Sequence, residues 1–295
     1  MMRVTDSMIF GNADLLSQRA RVAVNTAEQQ AATGVRVQHA GDDPAAAGQM
    51  ISHQLNASRL TAIAAGATAA SAELKSADGA LQGVNNVLIR ATEVATQMAN
   101  SSNNAGDRAS AAQEVDQLIA SVVGDLNAKV GSRYVLGGTS DNAAPFSADG
   151  TYNGDANVRQ VEIAPGVYQA SSVNAAAAIK GVGGGVDVIG ALQALSAALK
   201  ANDPSAVSNT LTALQAGTSQ VASARASAGN SMNTFDSAIS LLQSQSGAET
   251  ATVSALGDID EVTAAGNLAL AQRSLDAALT ASAQGFQLSL LDKIR

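Results

Sequence analysis

The sequence predicts a mainly α protein, a long antiparallel coiled-coil or helical bundle rod carrying a small β-rich insert domain. Three observations lead there. Apolar positions step by three and four residues without a break over two long stretches, which is the seam of a coiled-coil helix. About a fifth of the 295 residues are alanine and only 2% are aromatic, so the apolar share of 46% consists of small side chains suited to close helix packing. A single stretch, residues 133–186, departs from that composition and gathers most of the aromatics among Gly, Asn and Asp.

Taken in chain order, the first heptads run through Ile9, Ala13, Leu16, Ala20, Ala23, Ala27, Gln30, Gly34 and Val37. Asp43-Pro44 then marks a helix start, with the aspartate as cap and the proline in the first turn. The first long seam is Leu60, Ile63, Ala67, Ala70, Leu74, Ala77, Leu81, Val84, Leu88, Ala91, Ala95 and Met98. At 1.5 Å per residue it spans about 58 Å. A shorter helix over about residues 107–130 carries Val115, Leu118, Val122, Leu126 and Val130 as a third layer.

The insert follows. Asn153-Gly154 is a hairpin turn signal, and Val161 and Ile163 alternate with polar residues as a strand does. Gly183-Gly184-Gly185 leads back to the helices, and Asp203-Pro204 repeats the capped start. The second long seam is Val207, Leu211, Leu214, Thr218, Val221, Arg225, Ala228, Met232, Phe235, Ile239 and Leu242, nearly as long as the first and therefore able to pair with it. Arg225, charged within the seam, is read as a place where it meets something other than its partner helix. The closing heptads are Leu268, Gln272, Leu275, Leu279, Ser282 and Phe286, followed by Leu290. The resulting division is terminal coiled-coil segments at 1–43 and 250–295, a helical bundle at 44–132 and 187–249, and a β-rich outer insert, held away from the seams, at 133–186.

Composition excludes several chemistries. With no cysteine there is no disulfide, thiolate nucleophile or iron–sulfur cluster, and with only His39 and His53 there is no H-E-x-x-H and no histidine-rich metal site. A net charge of -8 argues against a nucleic-acid binder, which needs a basic face for the phosphates. No apolar run approaches the ~20 residues that span a bilayer, so no membrane insertion is expected. Gly181-Val182-Gly183-Gly184-Gly185 lacks the Lys-Ser/Thr ending of a phosphate loop and reads as a linker. The run Asp149–Gly154 misses a calcium loop because Thr151 stands where Asp or Asn is wanted and the final bidentate position falls on Gln160 instead of glutamate, and it reads as a surface hairpin. Asp42 and Asp43 near His39 read as helix capping, and His53 as a surface or interface histidine. Gly79 and Gly83, off the first seam and each costing about 1 kcal/mol relative to alanine, are read as a face where another helix or subunit backbone comes close.

Several segments, in order, resemble the hook-associated protein 3 family of the flagellin superfamily. They are Met2-Arg3-Val4-Thr5, Thr33-Gly34-Val35-Arg36, Gly41-Asp42-Asp43-Pro44-Ala45-Ala46-Ala47, Asp78-Gly79-Ala80-Leu81 and Arg90-Ala91. The series continues with Arg133-Tyr134-Val135-Leu136-Gly137-Gly138-Thr139, Pro145-Phe146, Tyr152-Asn153-Gly154-Asp155, Arg225-Ala226-Ser227-Ala228-Gly229-Asn230 and Leu288-Ser289-Leu290-Leu291-Asp292. Leu136 replaces that family's usual phenylalanine, a departure confined to local packing.

The resemblance implies a structural adaptor, not an enzyme, with no cofactor and no metal. It implies a place in the bacterial flagellum at the hook–filament junction and export through the type III apparatus without a cleaved signal peptide, with an export chaperone as companion. The implied partners are hook-associated protein 1, flagellin and further copies of the chain in a ring. The terminal heptads, Ile9, Leu16, Ala20, Ala23, Ala27, Leu268, Leu275, Leu279, Phe286 and Leu290, are the expected assembly interface. The expected bundle seam is Leu60, Ile63, Leu74, Leu81, Val84, Leu88 and Met98 against Leu211, Leu214, Val221, Met232, Phe235, Ile239 and Leu242, with Asp43 and Asp203 as helix caps. A flagellin filament subunit is the alternative within the same class, disfavoured by the Arg133–Thr139 segment. A signalling coiled coil would lack the β insert.

The terminal heptads are built mainly from Ala, Ser and Gln, and their burial offsets little of the roughly 1–2 kcal/mol per residue that ordering the backbone costs. The ends are therefore expected to be poorly ordered in the free chain and to fold on assembly. Hydrogen exchange on the free chain should show weak protection over residues 5–35; strong protection there would overturn the expectation.

Overall fold

Capping chemistry sets where the helices begin in the computed structural model. It describes residues 3–140 and 142–294, with the side chains of residues 3–7, 9–10 and 285–294 left outside the described set. The elements are α1 (Arg3–Thr33), α2 (Pro44–Met98), α3 (Ala105–Leu126), β1 (Lys129–Val130), β2 (Arg133–Tyr134), β3 (Gln160–Ala164), β4 (Val167–Ala170), α4 (Ala175–Lys180), α5 (Val188–Lys200), α6 (Pro204–Gly257) and α7 (Glu261–Ile294). The protein is mainly α with a small amount of β structure, as its periodicity predicts.

Both aspartate–proline starts are capped. Asp43 Oδ1 accepts from Ala46 N at 3.0 Å, and Asp203 Oδ1 accepts from Ser205 N at 2.9 Å and Ala206 N at 3.0 Å. The capping hydrogen bond from Ala46, followed by that from Arg36, holds the Asp43 carboxyl below the usual range. Asn104 and Asp107 form a reciprocal capping box at α3. Asn174 and Asp187 cap α4 and α5 through Ala177 N and Gly190 N.

The chain forms two compact units, residues 1–58 with 246–295 and residues 59–245. In the first, α1 packs on α7, the two running antiparallel: Ser17 lies opposite Ser282 at 3.5 Å, while Val35 bridges Asp258. Segments of α2 and α6 are also paired there, with Ser246 Oγ donating to Ala57 O at 3.3 Å.

In the second unit, α2 and α6 run antiparallel, because Asp78 meets Arg225 while Ser71 meets Asp236. Leu74, Ala77, Leu81, Val84, Leu88, Ala91 and Ala95 of α2 are almost fully buried, as are Val207, Leu214, Val221, Phe235 and Leu242 of α6. A second α2 stripe, Ala80, Val87 and Val94, is also buried at seven-residue spacing. It shares the face of Gly83 and Arg90, whose neighbours Asp125 and Glu114 belong to α3. The third layer is therefore α3, with Val115, Val122 and Leu126 buried and Val130 exposed in β1. Helix α5 packs on α3 through the Asp116–Ser196 hydrogen bond (2.6 Å) and the Asp116–Lys200 pair (2.7 Å), and buries Val188, Ile189, Leu192, Leu195 and Leu199.

The segment after α3 holds two separate two-stranded antiparallel sheets, β1–β2 and β3–β4. The β3–β4 register pairs Gln160 with Ala170 and Glu162 with Tyr168, and Pro165-Gly166 makes the turn, with Gly166 at φ 79°. Asn153-Gly154 is not that turn. The tight reversal near it is at Asp149-Gly150, where Ser147 N donates to Thr151 O and Gly150 N to Ser147 O. The Asp149 side chain accepts from both the amide and the hydroxyl of Thr151, so it closes this turn upon itself.

The segment is not held clear of the helices. Val135, Leu136 and Phe146 are buried in the same core as the α2 and α6 seams, and Leu136 fills its place with no exposure. Phe146 is clamped by Asn127, whose side chain exchanges two hydrogen bonds with its backbone (2.8 and 3.0 Å), and its ring stacks at a tilt on Tyr152, 4.9 Å away. Large rings are scarce here, and both are used to seal the bundle. Asp155 pins the adjoining loop: hydrogen bonds from the Thr139 hydroxyl and amide hold its carboxyl at about 2. Tyr152 donates to Asp155 O at 2.8 Å, and burial, then the Asp155 charge, pushes its hydroxyl up to about 12.

One buried charge joins two corners. Arg108, 3% exposed, donates from Nε to Met98 O (3.1 Å), from Nη2 to Asn100 O (2.9 Å) and from Nη1 to Asn202 Oδ1 (2.7 Å). It satisfies carbonyls at the C-terminal end of α2, where a cation is favoured. It also holds Asn202, the residue at φ 52° that ends the α5 corner. Removing the guanidinium takes the donor from the buried Met98 carbonyl and unties the exposed Asn100 and Asn202 from the helix. Arg108→Ala should lower the unfolding free energy by about 2–3 kcal/mol in urea titration, and a loss under ~0.5 kcal/mol would show that water replaces it.

Candidate functional site

The residues that bear on function are the two long seams and the outer faces of the terminal helices. Of the predicted bundle seam, Leu60, Ile63, Leu74, Leu81, Val84, Leu88, Met98, Leu214, Val221, Phe235 and Leu242 are buried. Leu211, Met232 and Ile239 are half-buried and packed against the same core. Arg225 does not turn away from its partner helix. It makes a two-point pair with Asp78 of α2, Nε to Oδ1 at 2.8 Å and Nη2 to Oδ2 at 3.3 Å, and this pairing raises the guanidinium's pKa. The fork geometry of arginine fixes the axial register of the two helices better than a point charge would.

On the terminal helices the packed stripe differs from the predicted heptads. The inward positions of α1 are Ala13, Ser17, Ala20, Val24 and Ala27, facing Ala264, Leu268, Ala271, Leu275, Ala278 and Ser282 of α7. The register thus takes Ser17 and Val24 where the heptad reading took Leu16 and Ala23. Ser17 can be turned inward cheaply because its hydroxyl donates to Ala13 O at 2.9 Å, and Val24 fills more volume than Ala23. Leu16, Ala23 and Leu279 are exposed, whereas Ala20, Leu268 and Leu275 are half-buried and Ala27 is buried. Ile9, Phe286 and Leu290 lie outside the described residues.

An apolar stripe is left on the outer face of α1. Met8, Leu15 and Val22, seven residues apart, are 63%, 45% and 63% exposed, with Leu16 beside them. On α7, Val262, Leu270 and Leu279 are also outward. Scattered exposed apolar residues are ordinary, whereas these recur at heptad spacing along one face.

Asp42 does not cap a helix. Its carboxylate accepts from Gln38 N (3.0 Å) and His39 N (2.8 Å) to close a loop, and those bonds, that of His39 foremost, lower its pKa. The Gly181–Gly185 run is a linker fastened by Gln220, which accepts from Val186 N (2.8 Å) and donates to Ala178 O and Val186 O (3.0 Å each). Beside it lies a groove of about 400 Å³ lined mainly by Ala, Ser and Val side chains of α6 and the β4–α4 segment. Among the described residues, no group of three or more His, Cys, Asp or Glu could hold a metal, and no helix is long and apolar enough to cross a membrane.

Residues 8–139 match the family described as the bacterial flagellin N-terminal helical region. The chain has no significant match among curated protein sequences. Among solved structures it is similar to Bacillus cereus FlgL, at 25% identity and TM-score 0.57, over 68% of this chain and 96% of that one. A Vibrio parahaemolyticus protein described as flagellar hook-associated matches at 21% identity and TM-score 0.67, over 73% and 99% of the two chains. The Legionella pneumophila flagellar junction protein FlgL matches at 13% identity and TM-score 0.56, over 71% and 100%.

The two helix glycines have separate neighbours. A methyl group at Gly79 would meet nothing within 4 Å, whereas one at Gly83 would collide with the Asp125 carboxylate of α3. No second backbone approaches Gly79, and Gly83 makes a notch for a side chain. Burial there raises the Asp125 carboxyl above its usual range. Gly79→Ala should stabilise unit 59–245 by up to about 1 kcal/mol in chemical denaturation. Gly83→Ala should gain clearly less, with the Asp125 pKa falling as its carboxylate swings into water.

The sequence resemblance therefore holds: the chain carries a flagellin-type N-terminal helical region over residues 8–139, within the fold of the flagellar hook-associated proteins.

Proposed function

We propose that this chain is a structural adaptor of the bacterial flagellum that joins the hook, through hook-associated protein 1, to the flagellin filament. The observation that carries the reading is the near-complete match of hook-associated and junction structures to this chain, 96% of Bacillus cereus FlgL among them. In this reading, copies arrive through the type III export apparatus with a chaperone as companion and assemble in a ring. The terminal segments, 1–43 and 250–295, order as neighbours pack on them; 44–132 and 187–249 form the supporting bundle; 133–186 is an insert anchored in that bundle's core by Val135, Leu136 and Phe146. The seam residues serve the fold of each subunit, while the outward side chains serve contacts between subunits. Leu16, Ala23 and Leu279 belong to that second group together with Met8, Leu15 and Val22.

A flagellin filament subunit is the second reading, favoured by the family that residues 8–139 match. A deletion strain separates the two. Loss of a junction adaptor leaves hooks without filaments and releases flagellin into the medium. If hooks and junction proteins assemble normally and only the filament polymer is missing, the chain is flagellin. In the complemented strain, Leu15→Asp with Val22→Asp should leave the helical content of the purified chain unchanged and abolish filament attachment. Normal motility of that variant would show that the outer stripe of α1 is not an assembly contact.

A further inference from the structure

Unit 1–58 with 246–295 contains a cross-helix pair that neither the fold nor the assembly reading uses. His53 Nδ1 of α2 pairs with Glu249 Oε2 of α6, with the two side chains 34% and 26% exposed. From Pro44 to Ser58 His53 is the only titratable side chain on α2, and from Ser246 to Gly257 Glu249 is the only one on α6. The apolar contact between these two segments is thin. Ala46 and Ala57 are buried and Met50 covers Gly257, but the larger Ile51 and Leu55 are 59% and 66% exposed. This partly shielded pair therefore adds a polar tie to the small apolar contact that Val253 and Leu256, both half-buried, also share.

We propose that His53 and Glu249 form a pH-sensitive clasp, which holds the α2 and α6 segments of this unit more tightly when the imidazole is protonated. An imidazolium facing a carboxylate makes a charge-assisted hydrogen bond; a neutral ring keeps at most an ordinary one.

Among the described residues, the other charges of the unit are engaged elsewhere or face solvent. Arg36 donates to Asp43 (3.1 Å) and to Leu256 O (2.7 Å), Asp258 accepts from Ser254, and Asp260 accepts from Thr263 N (3.0 Å). Glu261 lies in the exposed first turn of α7, and Asp14, Arg19, Arg21, Glu28, Arg273 and Asp276 are exposed on the α1–α7 pair. The other histidine, His39, is on the loop with Asp42 at 3.7 Å and is mostly exposed, so it serves as the control.

The test is hydrogen exchange on the full chain at about pH 5.5 and about pH 8, either side of the histidine range, corrected for intrinsic rates. Protection over residues 50–57 and 246–253 should be about 2–5-fold greater at the lower pH, the size expected for one partly shielded ion pair. Amides of residues 59–245 should not share the change. Glu249→Gln should remove the pH difference while keeping a hydrogen bond, and His39→Asn should leave it intact. His53→Gln provides a second variant in case the first disturbs helix pairing, and it too should be indifferent to pH. Equal protection of the wild-type segments at both pH values, or an unchanged difference in both variants, would overturn the clasp. So would its disappearance in His39→Asn.

Discussion

The close approach of α2 and α6 along a seam of small side chains is the constraint on which unit 59–245 depends. Alanine at Ala67, Ala70, Ala77, Ala91 and Ala95 lets the backbones draw together, and Leu74, Leu81, Val84 and Leu88 fill the layers between. A methyl group buries little area, roughly a third of what leucine offers at about 25 cal/mol per Å². Stability must then come from the length of the seam, from dispersion at short range and from few but well-placed polar ties. The Arg225–Asp78 fork and the Arg108 corner have that role: each fixes a register that a row of similar alanines leaves ambiguous. The rings of Phe146 and Phe235, both fully buried, supply volume where small residues cannot.

The seams were legible in the sequence because a 3.5-residue repeat over dozens of residues admits one reading, and the caps at Asp43 and Asp203 were legible because Asp-Pro has a local mechanism. The register of the terminal helices was less so. When Leu15, Leu16, Ser17, Ala23 and Val24 are adjacent, a one-residue rotation changes which are inward at small cost, and an internally bonded serine is as acceptable in the seam as an alanine. The heptad pattern could not separate the face used within the chain from the face left over, since both are apolar.

Other features depended on contacts distant in sequence. Helix α5 has five strongly apolar positions within thirteen residues, but it follows the glycine linker and is short. Its pairing with α3 rests on Asp116, Ser196 and Lys200, about eighty residues apart. The insert's attachment to the bundle core came through Phe146, whose anchor Asn127 is an unremarkable polar residue at the end of α3. Gly83 had a recognisable cost on α2, but nothing local to it named Asp125 as the side chain it admits. Composition suggested an outer segment holding the aromatics, and tertiary packing drew two of them inward.

The alanine-rich seams also govern how stability changes with temperature. The heat capacity gained on unfolding follows newly hydrated apolar area, at about 0.45 cal/mol/K per Å², less a smaller contribution from polar groups. A seam that buries methyl groups in place of leucines exposes less such area per residue when it opens. Its heat capacity change falls below the usual ~12–15 cal/mol/K per residue, and the stability curve is flatter. Small side chains at Ala67, Ala77, Ala91 and Ala95 thus make the bundle's stability less sensitive to temperature, at the cold end as well as the warm.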